Sequence, residues 1–200
     1  MTSLLAIDTT SEHGSLALLD GSRVVEEVSL QAPEGFGHVL FGEISTLLQR
    51  HNVTLSQVEC FAAASGPGSF TGVRIGLTAV KGLAEATGRK VVAVSNLEAL
   101  ASLGTRALRA PVIDARRGEV YGAVYDAESR CICREVVTKF EDWVLTLPGG
   151  DVEIVRAGPP LAGAIGRIAA ARFAAGLAVD AAEIDANYVR RSDAELLWKD

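Results

Sequence analysis

The sequence is poor in cysteine, in long apolar runs and in basic charge, and each shortage excludes a class of protein. Its three cysteines, Cys60, Cys131 and Cys133, form an odd set, so we expect buried free thiols, the last two on one face of a strand. No apolar run approaches the roughly 20 residues of a membrane span, and the N-terminus lacks the basic segment of a secretory signal. We therefore expect a cytoplasmic protein. The net charge of −6 disfavours a broad basic surface for nucleic acid, so contact with RNA requires a partner.

Several signatures of catalysis are also missing. The three histidines include no His-x-x-x-His pair, so a histidine metal site lacks support and we expect no bound metal. In the segment Gly68-Ser-Phe-Thr-Gly72 the serine stands one place too early for the Gly-x-Ser-x-Gly elbow of hydrolases. No lysine follows Gly76, where a phosphate loop requires one. The sequence thus disfavours a metallopeptidase, a serine hydrolase and a P-loop enzyme.

The pattern of apolar residues predicts an α/β protein. With 48% hydrophobic residues the chain can bury a full core. The predicted elements of the first half are strands 4–7, 15–19 and 24–29, helix 37–50, strand 58–64, helix 70–87 and strand 90–94. The alternation of strands and helices after the opening meander indicates parallel pairing.

The second half of the chain repeats the opening of the first. Residues Ile7 to Asp20 and Ile113 to Asp126 have the same length, and each copy is a strand that ends in aspartate, a polar turn and a returning strand that closes with aspartate. This repeat predicts two related lobes with a cleft between them. We place the first lobe at residues 1–105 and a reduced second lobe at residues 106–200.

The most distinctive segment, Ser65-Gly-Pro-Gly-Ser-Phe-Thr-Gly-Val-Arg-Ile-Gly76, joins a glycine-rich turn to a helix. Ser69 or Thr71 can cap this helix, which leaves N–H groups free to face an anion. Gly72 and Gly76 share one face, where their missing side chains let another backbone approach closely. That face needs cover, which either a second protein or another element of this chain supplies.

Asp8, Thr9 and Thr10 follow the first strand and form a second candidate site. Their carboxylate, hydroxyl and N–H groups suit a magnesium ion and a phosphate. The same residue types also suit an Asx-type turn, in which short polar side chains bond to the local backbone. Both interpretations stay open, so the sequence requires no cofactor and remains compatible with weak binding of ATP and magnesium.

Together these motifs resemble the bacterial TsaB (YeaZ) family, which acts in the threonylcarbamoyladenosine modification of tRNA. The resemblance covers most of the chain and rests on the segments Leu5 to Thr10, Ser65 to Gly76, Val94 to Leu100, Asp114 to Tyr121 and Tyr188 to Arg190, with His38 and with Lys81 to Ala84. It implies the actin-like fold shared with sugar kinases and Hsp70-type ATPases, built from two duplicated lobes.

The resemblance also implies a scaffold that does no chemistry itself. Members of this family are expected to support the catalytic subunit TsaD, which moves a threonylcarbamoyl group to a tRNA adenosine next to the anticodon, and to work with the ATPase TsaE. The chain then meets tRNA only through the complex, and alone it forms a homodimer through the same surface. The residues expected at this surface are Leu40, Ile44, Gly72, Val73, Gly76 and Val80.

The main alternative is a nucleotide-binding enzyme of the same fold, either a phosphotransferase or a peptidase-like protein, with Asp8, Thr9 and Thr10 at its site. A homodimeric regulator that never meets TsaD is a further alternative. It would use the same helix face as the scaffold, so the sequence leaves homodimer and heterodimer open.

Overall fold

Two mixed sheets organise the fold. The computed structural model describes residues 3–156, 158 and 160–190. The first sheet consists of β1 (Ser3–Asp8), β2 (His13–Asp20), β3 (Arg23–Gln31), β4 (Val58–Ala64) and β5 (Lys90–Val94), in the order β3-β2-β1-β4-β5. β1 pairs antiparallel with β2 and parallel with β4, so the opening meander leads into a parallel region, as the sequence predicted.

The second sheet repeats this topology with one strand fewer. It consists of β6 (Leu108–Arg116), β7 (Glu119–Asp126), β8 (Cys131–Lys139) and β9 (Val152–Arg156), in the order β8-β7-β6-β9. β6 pairs antiparallel with β7 and parallel with β9, as β1 pairs with β2 and β4. The predicted duplication is therefore confirmed at the level of strand order.

Two long helices cover one face of the first sheet. They are α1 (Phe36–Arg50) and α2 (Phe70–Thr87), whose bounds agree with the predicted helices to within one residue. Their apolar stripes meet alternate residues of the strands, including Leu5 and Ile7 of β1, in the largest core cluster. No helix in the described part of the chain has the length and hydropathy needed to cross a membrane.

The alanine-rich helix α5 (Ala162–Ala174) lies on the opposite face of the first sheet, although it follows the second sheet in the chain. Val179 then pairs with Val91, and Ile184 joins the core beneath α1 and α2. Residues 162–184 of the predicted second lobe at 106–200 thus pack on the first sheet, and the division of the chain into two lobes stays a prediction. Small alanine side chains let the helix approach the larger sheet closely, which gives that sheet a cover on its second face.

Ser15 ties the start of α5 to the first sheet. Its buried Oγ accepts hydrogen bonds from the backbone N–H groups of Leu161 (3.3 Å) and Ala162 (3.0 Å). Ser15→Ala is expected to lower the free energy of unfolding by about 1–3 kcal/mol, because two buried donors lose their acceptor. Urea denaturation measures the loss, and Ser45→Ala, at an exposed serine of α1, is the control. Equal losses in the two variants would contradict this capping role.

Two short helices complete the described fold. Between the sheets lies α3 (Asn96–Ala101), where Leu97 contacts Tyr121 of the second sheet in a core cluster shared by both lobes. The outer face of the second sheet is covered by α4 (Phe140–Leu145) through its buried Trp143. The lobes are thus packed directly against each other on one side and separate into a cleft on the other.

Register shifts in β8 correct the expected arrangement of the cysteines. Cys131 lies opposite Tyr125, whereas Cys133 lies opposite Val124, the residue that precedes Tyr125 in the chain. Because adjacent residues of a strand point to opposite faces, the two thiols do not share a face. All three cysteines are free, but only Cys60 is buried, and burial raises the pKa of its thiol to about 12. The expectation of buried thiols is wrong for Cys131, which is exposed.

Candidate functional site

The glycines of α2 lie against the turn that follows β1. Thr9 Oγ1 donates a hydrogen bond to the carbonyl oxygen of Gly72 at 2.7 Å. A Cβ atom on Gly72 would overlap the carbonyl oxygen of Thr9, and one on Gly76 would stand 2.7 Å from Thr9 Oγ1. The close backbone approach that the glycines predicted is therefore present, but another element of this chain makes it. Ser69 caps the helix by accepting from the N–H of Gly72 at 3.2 Å.

The six residues expected at a partner surface are buried inside this chain. They are Leu40, Ile44, Gly72, Val73, Gly76 and Val80. The four with side chains belong to the core beneath the first sheet. Their assignment to an outer contact surface is corrected accordingly, because the second cover that α2 needs comes from α1 and from the turn after β1. Docking of another protein on the outer side of α1 and α2 stays a prediction, and of the six residues only Leu40 also lines the depression on that side.

The outer side of the two helices forms an apolar depression, which we call the α1–α2 groove. It encloses about 480 Å³ and is lined by Gly37, Leu40, Phe41, Phe70, Thr71, Arg74, Ile75, Thr78 and Ala79. The side chains of Phe41 and Phe70 are 56% and 47% exposed. The sequence held a signal for this groove, since the apolar stripe of α1 is wider than one packing face requires and Phe41 lies beside it.

The carboxylate of Asp8 is held inside the turn after β1. Asp8 is 3% exposed, and its Oδ1 accepts hydrogen bonds from the backbone N–H (2.9 Å) and the Oγ1 (2.7 Å) of Thr10. Asn96, which the sequence analysis missed, donates from Nδ2 to Thr10 Oγ1 at 2.7 Å and accepts from the N–H of Gly66 at 2.9 Å. This is the Asx-type turn, one of the two alternatives that the sequence left open.

Burial raises the pKa of Asp8 above its ordinary value of 3.8, and hydrogen bonds from Thr10 and Asn96 oppose the rise. Since the pKa is higher in the folded chain, ionised Asp8 destabilises the fold, and the penalty disappears as the pH falls below 3.8. Asp8→Asn is therefore expected to raise the free energy of unfolding at pH 7 by about 1 kcal/mol or more, with no gain near pH 3. Urea denaturation at both pH values measures this difference. A variant less stable than its parent at pH 7 would refute the prediction.

Above this turn the two lobes enclose a cleft of about 1450 Å³. Its mouth is bridged by an ion pair between Glu12 and Arg116, the tips of the two duplicated hairpins, at 2.7 Å. Charged residues that line the cleft are Asp8, Glu12, Arg74, Asp114, Arg116, Arg117 and Arg190. The four arginines and three carboxylates of this lining are close to balanced, because Arg116 pairs with Glu12 and Arg190 pairs with Glu119, beside the lining.

Among its described residues, the cleft shows none of the usual arrangements for nucleophilic catalysis. Thr9 and Thr10 donate their hydroxyl protons within the chain, and Ser11 donates to the carbonyl of His13 at 2.7 Å. Within residues 3–156, 158 and 160–190, no hydroxyl or thiol is hydrogen-bonded to a histidine ring, and no three His, Cys, Asp or Glu side chains are grouped to hold a metal.

Comparison with known proteins places these features in a family. A family model for TsaD, tRNA N6-adenosine threonylcarbamoyltransferase, matches residues 34–182. The tRNA threonylcarbamoyladenosine biosynthesis protein TsaB of Bacillus subtilis is 36% identical over 124 residues, which cover 61% of this chain and 54% of that protein. The TsaB of Escherichia coli is 36% identical over 135 residues, which cover 64% of this chain and 57% of that protein. The chain thus spans about half the length of these relatives.

Among solved structures, YeaZ from Pseudomonas aeruginosa superposes on this chain with a TM-score of 0.80. The two sequences are 31% identical, and the match covers 94% of this chain and 100% of that one. A second structure, described as similar to peptidase YEAZ and also from Pseudomonas aeruginosa, gives a TM-score of 0.81 at 30% identity over 95% of this chain and 100% of that one. The α/β fold class expected from the sequence is confirmed by these matches.

Proposed function

Because this chain belongs to the TsaB (YeaZ) family, we propose that it is a noncatalytic subunit in the threonylcarbamoyladenosine modification of tRNA. In this role it supports TsaD, the subunit that transfers the threonylcarbamoyl group to a tRNA adenosine next to the anticodon, and works with TsaE in the cytoplasm. It meets tRNA only within that complex. The observation that carries the proposal is the α1–α2 groove, in which Phe41 and Phe70 stay 56% and 47% exposed, although Tyr188 and Arg74 pack on the Phe70 ring.

The chemistry of the groove suits a protein partner. A volume of about 480 Å³ accommodates several apolar side chains, and the Arg74 guanidinium at its edge can pair with a carboxylate or carbonyl of the partner. Fully burying a large aromatic side chain contributes about 1.5–3 kcal/mol, so Phe41 and Phe70 can supply much of the binding energy. The same surface serves a homodimer when the chain is alone.

The turn after β1 supports the noncatalytic part of the proposal. A site for magnesium and phosphate needs free oxygen ligands and donors, yet the hydroxyls of Thr9 and Thr10 and one oxygen of Asp8 are already engaged within the chain. A ligand at this turn must displace bonds that hold β1 to α2 and α3. The turn therefore stabilises the first lobe more directly than it serves a reaction.

Phe41→Asp is expected to weaken the complex with TsaD strongly, because it places a charge in the lining of the apolar groove. The chain is mixed with TsaD from the same organism, and mass is measured by size-exclusion chromatography with light scattering. We expect a one-to-one complex for the parent and at least about 30-fold weaker binding for the variant. Leu145→Asp, at an 85% exposed leucine of α4, is the matched control.

Each result of this experiment is decisive for one part of the proposal. A parent chain that forms no complex at any concentration would contradict the scaffold role. A parent complex that both variants lose equally would contradict the assignment of the surface. The chain alone should also change from dimer to monomer in Phe41→Asp and not in Leu145→Asp.

The arginine-lined cleft supports a second candidate, a nucleotide-binding enzyme of the same fold. Its arginines and its volume of about 1450 Å³ suit a nucleotide. Isothermal titration of the isolated chain with ATP and magnesium separates the two functions. Micromolar affinity that Arg190→Ala abolishes would favour the enzyme, and no measurable heat would favour the scaffold.

A further inference from the structure

Residues 185–190, which we call the strap, run along the cleft and contact both lobes. On the first lobe, the N–H of Asn187 donates to the carbonyl oxygen of Ser65 at 2.8 Å. The ring of Tyr188 stacks on Phe70 with 5.5 Å between the ring centroids, and Arg74 Nε donates to Tyr188 Oη at 3.0 Å. The strap is therefore fastened at the start of α2.

The other end of the strap is fastened to the second lobe. Arg190 donates to the carbonyl oxygen of Ala115 at 2.8 Å and forms an ion pair with Glu119. Asn187 Nδ2 donates to Glu135 Oε2 of β8 at 2.6 Å, and Val189 packs into the core cluster between the lobes. Three of the four residues from Asn187 to Arg190 thus contact the second lobe, and each contact differs in kind.

Two of the side chains that hold the strap also line the α1–α2 groove. Phe70 and Arg74 line both the groove and the cleft, and the Arg74 guanidinium lies 3.9 Å from the centre of the Phe70 ring. Tyr188 is 48% exposed beside them. A molecule seated in the groove therefore contacts the two side chains that hold Tyr188, whereas Phe41 lines the groove and does not line the cleft.

We propose that the strap couples the α1–α2 groove to the second lobe, and that Tyr188 belongs to the surface on which a protein partner docks. The coupling has two states, with the strap seated on both lobes or released from one of them. A partner that covers Phe70 and Tyr188 removes water from their stacked rings and from the bond to Arg74, which favours the seated state. The identity of the partner rests on the proposed function, but the coupling is a property of the chain alone.

Hydrogen exchange of the isolated full chain tests the coupling without a partner. Phe70→Ala and Tyr188→Ala are expected to raise amide exchange of the β6–β7 hairpin, residues 113–121, by at least about fivefold. Phe41→Ala, in the same groove but without a contact to Tyr188, should leave the hairpin unchanged. Strand β9 is the internal control, because it lies at the edge of the second sheet and no hydrogen bond or ring contact joins it to the described strap residues.

The outcomes of the exchange measurement distinguish coupling between the groove and the second lobe from a general loss of stability. Faster exchange in the hairpin with β9 unchanged supports the proposal. An effect confined to α2 and the strap would overturn it, and so would an equal rise in the hairpin and in β9, because that pattern reports a general loss of stability.

Linkage supplies a reciprocal test with the partner present. If docking favours the seated strap, release of the strap must weaken docking by the same factor. Arg190 lies at the second-lobe end of the strap and does not line the groove. We expect Arg190→Ala to weaken the TsaD complex at least about fivefold. Parental affinity in Arg190→Ala would overturn the coupling to docking. A parent chain that binds no TsaD would instead defeat the proposed function, while the exchange experiment still decides the coupling.

Discussion

Gly72→Ala is expected to lower the free energy of unfolding by at least about 3 kcal/mol, although it adds only one methyl group. The new Cβ would overlap the carbonyl oxygen of Thr9. It would also stand 3.0 Å from the carbonyl carbon of Thr9 and 3.2 Å from the Cα of Thr10. Relief requires α2 to move away from the turn after β1, which also breaks the bond from Thr9 Oγ1 to the carbonyl of Gly72. Thermal and urea denaturation measure the loss.

Gly82→Ala is the matched control for this prediction. Gly82 lies in the same helix, is exposed, and a Cβ at this position meets nothing within 4 Å. Because alanine loses less backbone entropy than glycine in a helix, Gly82→Ala should raise the free energy of unfolding by about 0.5–1 kcal/mol. A Gly72→Ala variant that loses less than about 1 kcal/mol, or that behaves like Gly82→Ala, would show that the turn and the helix are not in the close contact described above.

The same pair of glycines shows how far the sequence predicts this fold. Their spacing on an apolar helix correctly predicted a close backbone approach on one face. The identity of the approaching backbone depends on Thr9, which is 63 residues away, and no local pattern contains that information. The periodicity of apolar residues therefore predicted both ends of α2 correctly. The assignment of its glycine face to a partner was wrong for Gly72 and Gly76, which pack against Thr9 of the same chain.

The position of α5 was unpredictable for a related reason. An alanine-rich helix has small side chains on every side, so its sequence does not specify which sheet it covers. Ser15 and Glu27, in strands of the first sheet, accept hydrogen bonds from the first turn of α5 and so determine which sheet it covers. The strap is a similar case, since the motif from Tyr188 to Arg190 was visible in the sequence, while the hydrogen bonds and ring stacking of Tyr188 and Arg190 join them to residues 71 or more positions away.

Buried polar side chains that bond to several elements were the part of the site hardest to predict from the sequence. In the sequence Asn96 belongs only to the segment Val94 to Leu100, and the structure brings it to Thr10 and Gly66. A buried amide is effective there because it donates and accepts at the same time. The turn after β1, the glycine-rich loop and α3 are thereby held together by one side chain, so its chemistry should matter more than its size.

Asn96→Asp is accordingly expected to lower the free energy of unfolding by about 3–5 kcal/mol at pH 7, although the two side chains have nearly the same shape. Asn96 is 2% exposed, and its Nδ2 donates to Thr10 Oγ1, whose own proton goes to Asp8. A carboxylate has no proton to donate. It would place an acceptor against the hydroxyl oxygen of Thr10 and a second buried negative charge beside Asp8.

The pH dependence distinguishes this charge effect from a simple loss of hydrogen bonds. Burial and the neighbouring Asp8 raise the pKa of the new carboxyl in the folded chain, so its penalty should shrink as the pH falls and protonation restores a donor. Asn96→Ala removes the same bonds without adding charge. Because the Asn96 hydrogen bond also lowers the pKa of Asp8, its loss of about 2 kcal/mol at pH 7 should shrink at pH 4, but by less than the loss of Asn96→Asp. Urea denaturation of both variants at the two pH values measures the difference. A constant loss for Asn96→Asp would mean that its carboxylate is solvated, and that the amide of Asn96 does not hold the turn in the way the hydrogen bonds indicate.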